Sequence, residues 1–262
     1  MSDEKSKVGD LLGIAPYGEA IKTVSEESIK GVGNFLSKIC MPMADEFGSF
    51  LKDKVREWKL KNIIKIIEKS EGKLEYKGGE LQLKAHPRVV MEILEGGAVQ
   101  DNDNIQDMWA GLLASSCNTE ANDDNIIYIN ILNQLTTTQA KIINYYAINS
   151  RKIVNKDGAV QTISGIVMNA NDFFKIAESQ DIDKISAEIN CLISLQLVET
   201  GFGLASGFFN KEKTKDPEEI LMVGLKLSPL ALVLYIKCQG YKGTVKDFFK
   251  LEYIPGNTLA GF

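Results

Sequence analysis

The stretch 101-DNDNIQDMWAGLLASS-116 passes from an acidic, hydrated lead-in into a run with helical spacing. Ile105, Met108, Trp109, Leu112, Leu113 and Cys117 recur at i, i+3, i+4, i+7, i+8 and i+12, the apolar stripe of a core-packing α-helix. Asp101, Asp103 and Asp107 crowd its beginning, where carboxylates accept from free backbone N–H groups and suit the positive end of the helix dipole. A second helix precedes it, opening at Pro87, carrying Val89, Val90, Ile93 and Leu94, and ending at Gly96-Gly97. After the polar loop 118-NTEANDDN-125 a third runs over Ile126–Leu135, so residues 85–135 read as a central three-helix block whose members bury one another.

Upstream, residues 1–84 read as an N-terminal helical segment with one long basic helix. The longest helix is predicted over 44–70, with Phe47, Phe50, Leu51, Val55, Trp58, Ile63, Ile66 and Ile67 on a drifting apolar face. Residues 52–69 hold seven Lys/Arg against three acids, a basic flank that is either a solvated face or a surface for phosphate or anionic lipid. Residues 8–44 are apolar but broken by Gly9, Gly13, Gly18, Gly31 and Gly33, with Pro16 and Pro42 as breaks. Short core helices with loose joints account for that pattern, and so does an amphipathic segment lying on a membrane. The turn-rich 71-EGKLEYKGGELQL-83 is read as a loop or weak hairpin and a joint.

The remainder, 136–262, reads as a winged-helix-like domain. Thr136 and Gln139 form a capping-box pair at the head of 137–150. Residues 159–168 are rich in β-branched types and read as strand or loop, and 171–179 as a short helix. A helix over 183–197 capped by Asp181 or Asp183 turns Ile185, Ile189, Leu192, Ile193 and Leu197 inward. Two β-type stretches, 197–204 and 220–227, flank the charged loop 210-NKEKTKDPEE-219, and Ser228-Pro229 caps a last helix to Gln239. The fold class is therefore mainly α, a multi-helix N-terminal and central region followed by a winged-helix-like domain with a small β-hairpin.

In that module 183–197 is the helix that would read DNA, and 210–219 the wing. Lys184, Ser186, Asn190, Lys211, Lys213 and Lys215 are the candidate nucleic-acid contacts. The outward side, read as Asp183, Lys184, Ser186, Glu188, Asn190 and Gln196, is poor in the Arg and Lys that bind phosphate, and Glu212, Asp216, Glu218 and Glu219 offset the loop lysines. Protein contact or a purely structural role is therefore favoured over DNA.

Composition narrows the function classes further. The formal net charge of −5 excludes an all-over basic coat, and the acidity is local: residues 85–135 hold one Lys/Arg against eight Asp/Glu. Cys40, Cys117, Cys191 and Cys238 are widely spaced and read as reduced thiols, mostly in the core, which with the absence of a secretory signal pattern points to the cytoplasm. The single histidine, His86, precludes a two-His metal site and, lying before Pro87, reads as structural at a helix entrance. Phosphate-binding, dinucleotide and nucleophile-elbow motifs are absent, and no cofactor is expected. A metal-dependent enzyme built on Asp101, Asp103, Asp107, Asp123 and Asp124 stays as a remote alternative to helix capping.

The block 86-HPRVVMEILEGGAVQDNDNIQDMWAGLLASS-116, with its entrance HP, its helix ending in small residues, its acidic turn and its IQDMWAGLLA, resembles the signature of the abortive infection alpha (Abi-alpha) family of bacterial proteins. Segments 8-VGDLLGIAPYGEAIK-22 and 225-LKLSPLALVLYIKC-238 are similar to that family too. The resemblance implies a role in defence against bacteriophage and supplies no catalytic residue. Three function classes follow: a non-enzymatic phage-defence factor working through a protein partner, self-association or peripheral membrane contact by 8–44, a winged-helix DNA-binding regulator, and, last, the metal-dependent enzyme.

Overall fold

The computed structural model of the chain describes residues 26–44, 57–74, 83–118, 121–163, 165–199, 203–206 and 221–253. They are mainly helical, with strands confined to two small antiparallel sheets. The chain divides into two compact units, Met1–Gln134 with Lys237–Lys242, and Leu135–Ile236 with Gly243–Phe262.

The first unit holds α1 (Glu26–Ile39), α2 (Glu57–Lys73), α3 (Pro87–Ala98), α4 (Asp103–Ser116) and α5 (Ile126–Leu132). α4 is the centre, packing on α2, α3 and α5. Every residue from Met108 to Cys117 is buried, and Trp109 is wholly enclosed. The indole dictates the sequence of its neighbour: a Cβ on Gly96 would stand 2.6 Å from the Trp109 ring, and one on Gly97 would stand 2.6 Å from Ile66 Cδ1. These glycines do not end α3, as the sequence pattern suggested; they lie in its last turn and seat the tryptophan. Gly111 does the same on the other side of α4, where a Cβ would fall 1.6 Å from the Cys238 carbonyl oxygen.

Charge at the start of α4 is organised differently from the expected acid cap. The cap is Asn102, whose Oδ1 accepts from the Asn104 and Ile105 amides at 3.0 and 3.4 Å. Asp103 and Asp107 turn to α2, pairing with Lys69 at 2.8 Å and Lys73 at 3.0 Å. The basic flank of α2 is thus answered by the acidic lead-in rather than left wholly to solvent. Beneath these pairs, Gln106 Nε2 donates to Asn62 Oδ1 at 3.2 Å and to the Gln100 carbonyl at 2.8 Å. Asn62 Nδ2 donates to the Ala98 carbonyl at 3.0 Å, so two buried amides fasten α2 to the turn between α3 and α4.

α1 runs through Gly31 and Gly33 without a break, because Val32, Phe35, Leu36 and Ile39 are buried and hold it. Expectations for 8–25 and 45–56 lie outside the described residues. α2 continues to Lys73, so residues 71–73 are helical and not the start of a loop, and 75–82 of the expected loop or hairpin lie outside the described residues. His86 stands at the entrance of α3 with φ −66° and ψ 132°, followed by Pro87 at the first helical position, as predicted. Cys40, Cys117 and Cys238 are buried and Cys191 is exposed. Burial pushes the Cys117 thiol up to about 12 and raises Cys238 as well.

The second unit holds α6 (Thr137–Asn149), β1 (Lys152–Val154), β2 (Val160–Thr162), β3 (Ile166–Asn169), α7 (Ala170–Ala177), α8 (Ile182–Ser194), β4 (Gly203–Ser206), β5 (Leu221–Leu225), α9 (Pro229–Cys238) and α10 (Val245–Phe248). The C-terminal end of α9 counts with the first unit. β1 and β2 pair in register Lys152↔Thr162, across a turn in which Gly158 adopts φ 83°. β5 lies between β3 and β4, antiparallel to both. Helix, strand, helix, helix, strand, strand with the first strand beside the last is compatible with a winged-helix module. The stretch 159–168, read as strand or loop, holds β2 and β3, and the predicted cap of α9 is present, Ser228 Oγ accepting from the Ala231 amide at 3.2 Å.

Candidate interaction face on α8

α8 is positioned by three devices within its unit. Asp181 Oδ1 accepts from the Lys184 amide at 3.0 Å and caps the first turn, with Asp183 adding charge of the sign the helix dipole favours. Ile185, Ile189 and Leu192 are buried and carry the apolar stripe. The third device is polar: Thr136 Oγ1 donates to the Glu188 carboxylate at 2.8 Å, and Gln139 Nε2 donates to the Glu188 carbonyl at 3.3 Å. Thr136 and Gln139 also close the capping box of α6, the Gln139 amide donating to Thr136 Oγ1 and the Thr136 amide to Gln139 Oε1. One pair of residues therefore starts α6 and locks α8 to it.

That lock corrects the sequence reading. Glu188, taken as an outward acid, is only 9% exposed and spends its carboxylate on Thr136. The exposed strip consists of Asp183, Lys184, Ala187, Asn190, Cys191 and Ser194, with one acid against one base. Ala187, Cys191 and Ser194 were missed in the sequence, though spacing by three and four from Asp183 through Asn190 marks them. Along one edge run Ile182, 47% exposed, and the half-buried Ser186 and Ile193.

The six candidate nucleic-acid contacts do not come together as a set. Lys184 and Asn190 share the exposed strip. Ser186 follows Lys184 by two positions, about 200° around a helix of 3.6 residues per turn, and lies on the opposite edge. Lys211, Lys213 and Lys215 lie outside the described residues, as does the rest of 210–219. Gln196 is exposed but stands past the helix end in the left-handed region, φ 58°. As for the carboxylates weighed for a metal, Asp103 and Asp107 are engaged by lysines, and among the described residues no group of three His, Cys, Asp or Glu could hold a metal ion.

The face can therefore offer small side chains for close approach, an apolar edge and a few hydrogen-bond groups, all on a helix held rigidly from behind. The family model described as "Abortive infection alpha" matches residues 55–221, which takes in α2 to the start of β5 and includes α8. No curated protein and no solved structure matches the chain.

Proposed function

Because the chain belongs to the abortive infection alpha family, we propose that it is a cytoplasmic anti-phage factor of bacteria that works by contact with a protein, without catalysing a reaction. The observation that carries the reading is the α8 strip. A helix that binds duplex DNA draws most of its affinity from Lys and Arg against phosphate. This strip brings one Lys, one Asp and small uncharged residues, flanked by Ile182 and Ile193. Small residues let another backbone approach, and an apolar edge releases water on contact, which suits a protein surface.

The membrane branch is weakened at the part of 8–44 that is described. The stripe of α1 is used inside its own unit, since Val32, Phe35, Leu36 and Ile39 are 3% exposed or less. Peripheral membrane contact thereby falls to residues 8–25. No described helix is long and apolar enough to cross a membrane.

Two measurements test the proposal. Expressed in a susceptible host, the chain is expected to lower phage plating efficiency, and an unchanged plating efficiency across a phage panel would reject the defence role. Titrated against labelled duplex DNA at low salt, it is expected to show no saturable binding. Tight, salt-sensitive binding weakened by Lys184→Ala would instead favour the DNA-binding regulator.

A further inference from the structure

We propose that a cleft in the second unit, lined by residues 151–154 and 250–252, binds a small phosphorylated molecule. The cleft encloses about 380 Å³ and lies between β1 and the segment that follows α10. Its size falls in the range of small-molecule sites. Arg151, Lys152 and Lys250 line it with one carboxylate, Glu252.

Lys152 is the reason to regard it as a built site. Its ammonium is partly withdrawn from water, donating to the Ser150 carbonyl at 2.8 Å and lying 4.1 Å from the Phe249 ring centroid. That ring is fixed from its surroundings, stacked on Tyr235 at 6.1 Å and edge-on to Phe248 at 5.0 Å. Among the described residues no carboxylate lies within ion-pair distance of Lys152, Arg151 or Lys250. Cations withdrawn from water are ordinarily paired, so a half-buried ammonium whose partners among the described residues are a carbonyl and a ring face is placed to receive an anion. Burial lowers the pKa of this lysine.

Lys250 reaches the cleft from the end of α10. It holds φ 52°, the left-handed region, just past α10, while the Leu251 amide closes back on the Lys246 carbonyl at 3.0 Å. This is the usual left-handed turn that ends a helix, the Lys250 amide also donating to the Asp247 carbonyl at 3.2 Å. Nearby, Asp247 is committed to Thr244 Oγ1 at 2.6 Å, at the cap of α10.

Several features select the ligand class. Three cations around one cleft exceed what a single carboxylate needs, and the Arg151 fork matches phosphate oxygens. Phe249 has Lys152 near its ring and Tyr235 stacked on it, so it gives no free platform for the base stacking that single-stranded nucleic acid uses. Glu252 can accept from a hydroxyl or amino group on the same molecule, as a nucleotide or sugar phosphate would present. The inference is independent of the α8 face.

Calorimetry with the full chain at low salt, using inorganic pyrophosphate and ATP, tests the proposal. Both are expected to bind, and Arg151→Ala or Lys250→Ala, each at an exposed position, to weaken binding about tenfold or more with unchanged melting. Amide shifts of the unmutated chain, expected to change at 151–154 and 250–252, give a readout that needs no variant. No binding at millimolar ligand, binding indifferent to both substitutions, or shifts confined elsewhere would overturn the site. Tighter binding of an oligonucleotide than of ATP, with the same dependence on Arg151, would also overturn the small-molecule assignment and leave a nucleic-acid backbone as the occupant.

Discussion

α4 and α8 are helices of 14 and 13 residues, each started by an Asx cap and each carrying an apolar stripe, yet α4 buries 11 residues and α8 four. The difference lies in what surrounds the stripe. α4 meets neighbours on every side, so even its serines and its glycine are enclosed: Ser115 and Ser116 donate to the Leu112 carbonyl and accept from Asn125, while Gly111 lies against the Cys238 carbonyl. α8 is held from one side by Ile185, Ile189, Leu192 and the Glu188 lock, and its other side is left open. A helix wrapped in this way has no surface left with which to act. One held from behind and bare in front is free to be recognised, which is why the α8 strip, and not the enclosed α4, carries the functional proposal.

Substitutions should separate the two helices sharply. Trp109→Ala leaves a large cavity between α3 and α4, and a loss of roughly 3–5 kcal/mol in unfolding free energy is expected from denaturant midpoints. A cost under 1 kcal/mol there would mean that α4 is not the centre of its unit. Gly111→Ala drives a methyl into backbone that cannot step aside, so a loss of about 3 kcal/mol is expected, whereas the same change at the open Gly31 should stabilise α1 slightly. Thr136→Ala removes a helix cap and leaves the Glu188 carboxylate without its hydroxyl donor, for a loss of about 2 kcal/mol. If that variant melts like the parent, the lock behind α8 is not what fixes it.

The smallest effect concerns acid. Lys69 holds the Asp103 carboxyl below its ordinary value, first through their hydrogen bond and then through its charge. A carboxylate with a lowered folded pKa contributes stability that is present above the ordinary carboxylate range and lost as pH falls through the lowered value. Asp103→Asn should therefore cost a little at neutral pH and nothing in strong acid, a gap that narrows between the two and also shrinks with salt because the pair is exposed. An equal gap at both pH values would contradict the pairing with Lys69.

Legibility in the sequence followed the range of the interactions. Where a residue acts on neighbours three or four positions away, the sequence sufficed: the α4 stripe, the Thr136/Gln139 box, His86 before Pro87 and the Ser228 cap are all as read. Readings failed where a partner far along the chain decided. Gly96 and Gly97 look like a helix exit until Trp109 is placed against them, and Glu188 looks solvated until Thr136 is found across from it. Asp101, Asp103 and Asn102 compete for one cap, and the two lysines of α2 settle where the acids turn. β1 escaped because three residues are too few to show alternation. The candidate contacts on α8 were legible in part for the same reason: helical period sets Asn190 one turn beyond Ser186 and Lys184 on the far edge, but only the packing shows that Ser186 is half-buried.

The central claim is that the open strip of α8 is what this chain works with, and phage plating on hosts carrying an Ala187→Arg, Asn190→Arg double variant tests it most directly. Both positions are exposed, so melting should stay within about 0.5 kcal/mol of the parent. With the fold intact, the account predicts that protection is lost, because two long cations occupy the place where a partner's backbone would approach. Full protection by a double variant that melts like the parent would contradict it.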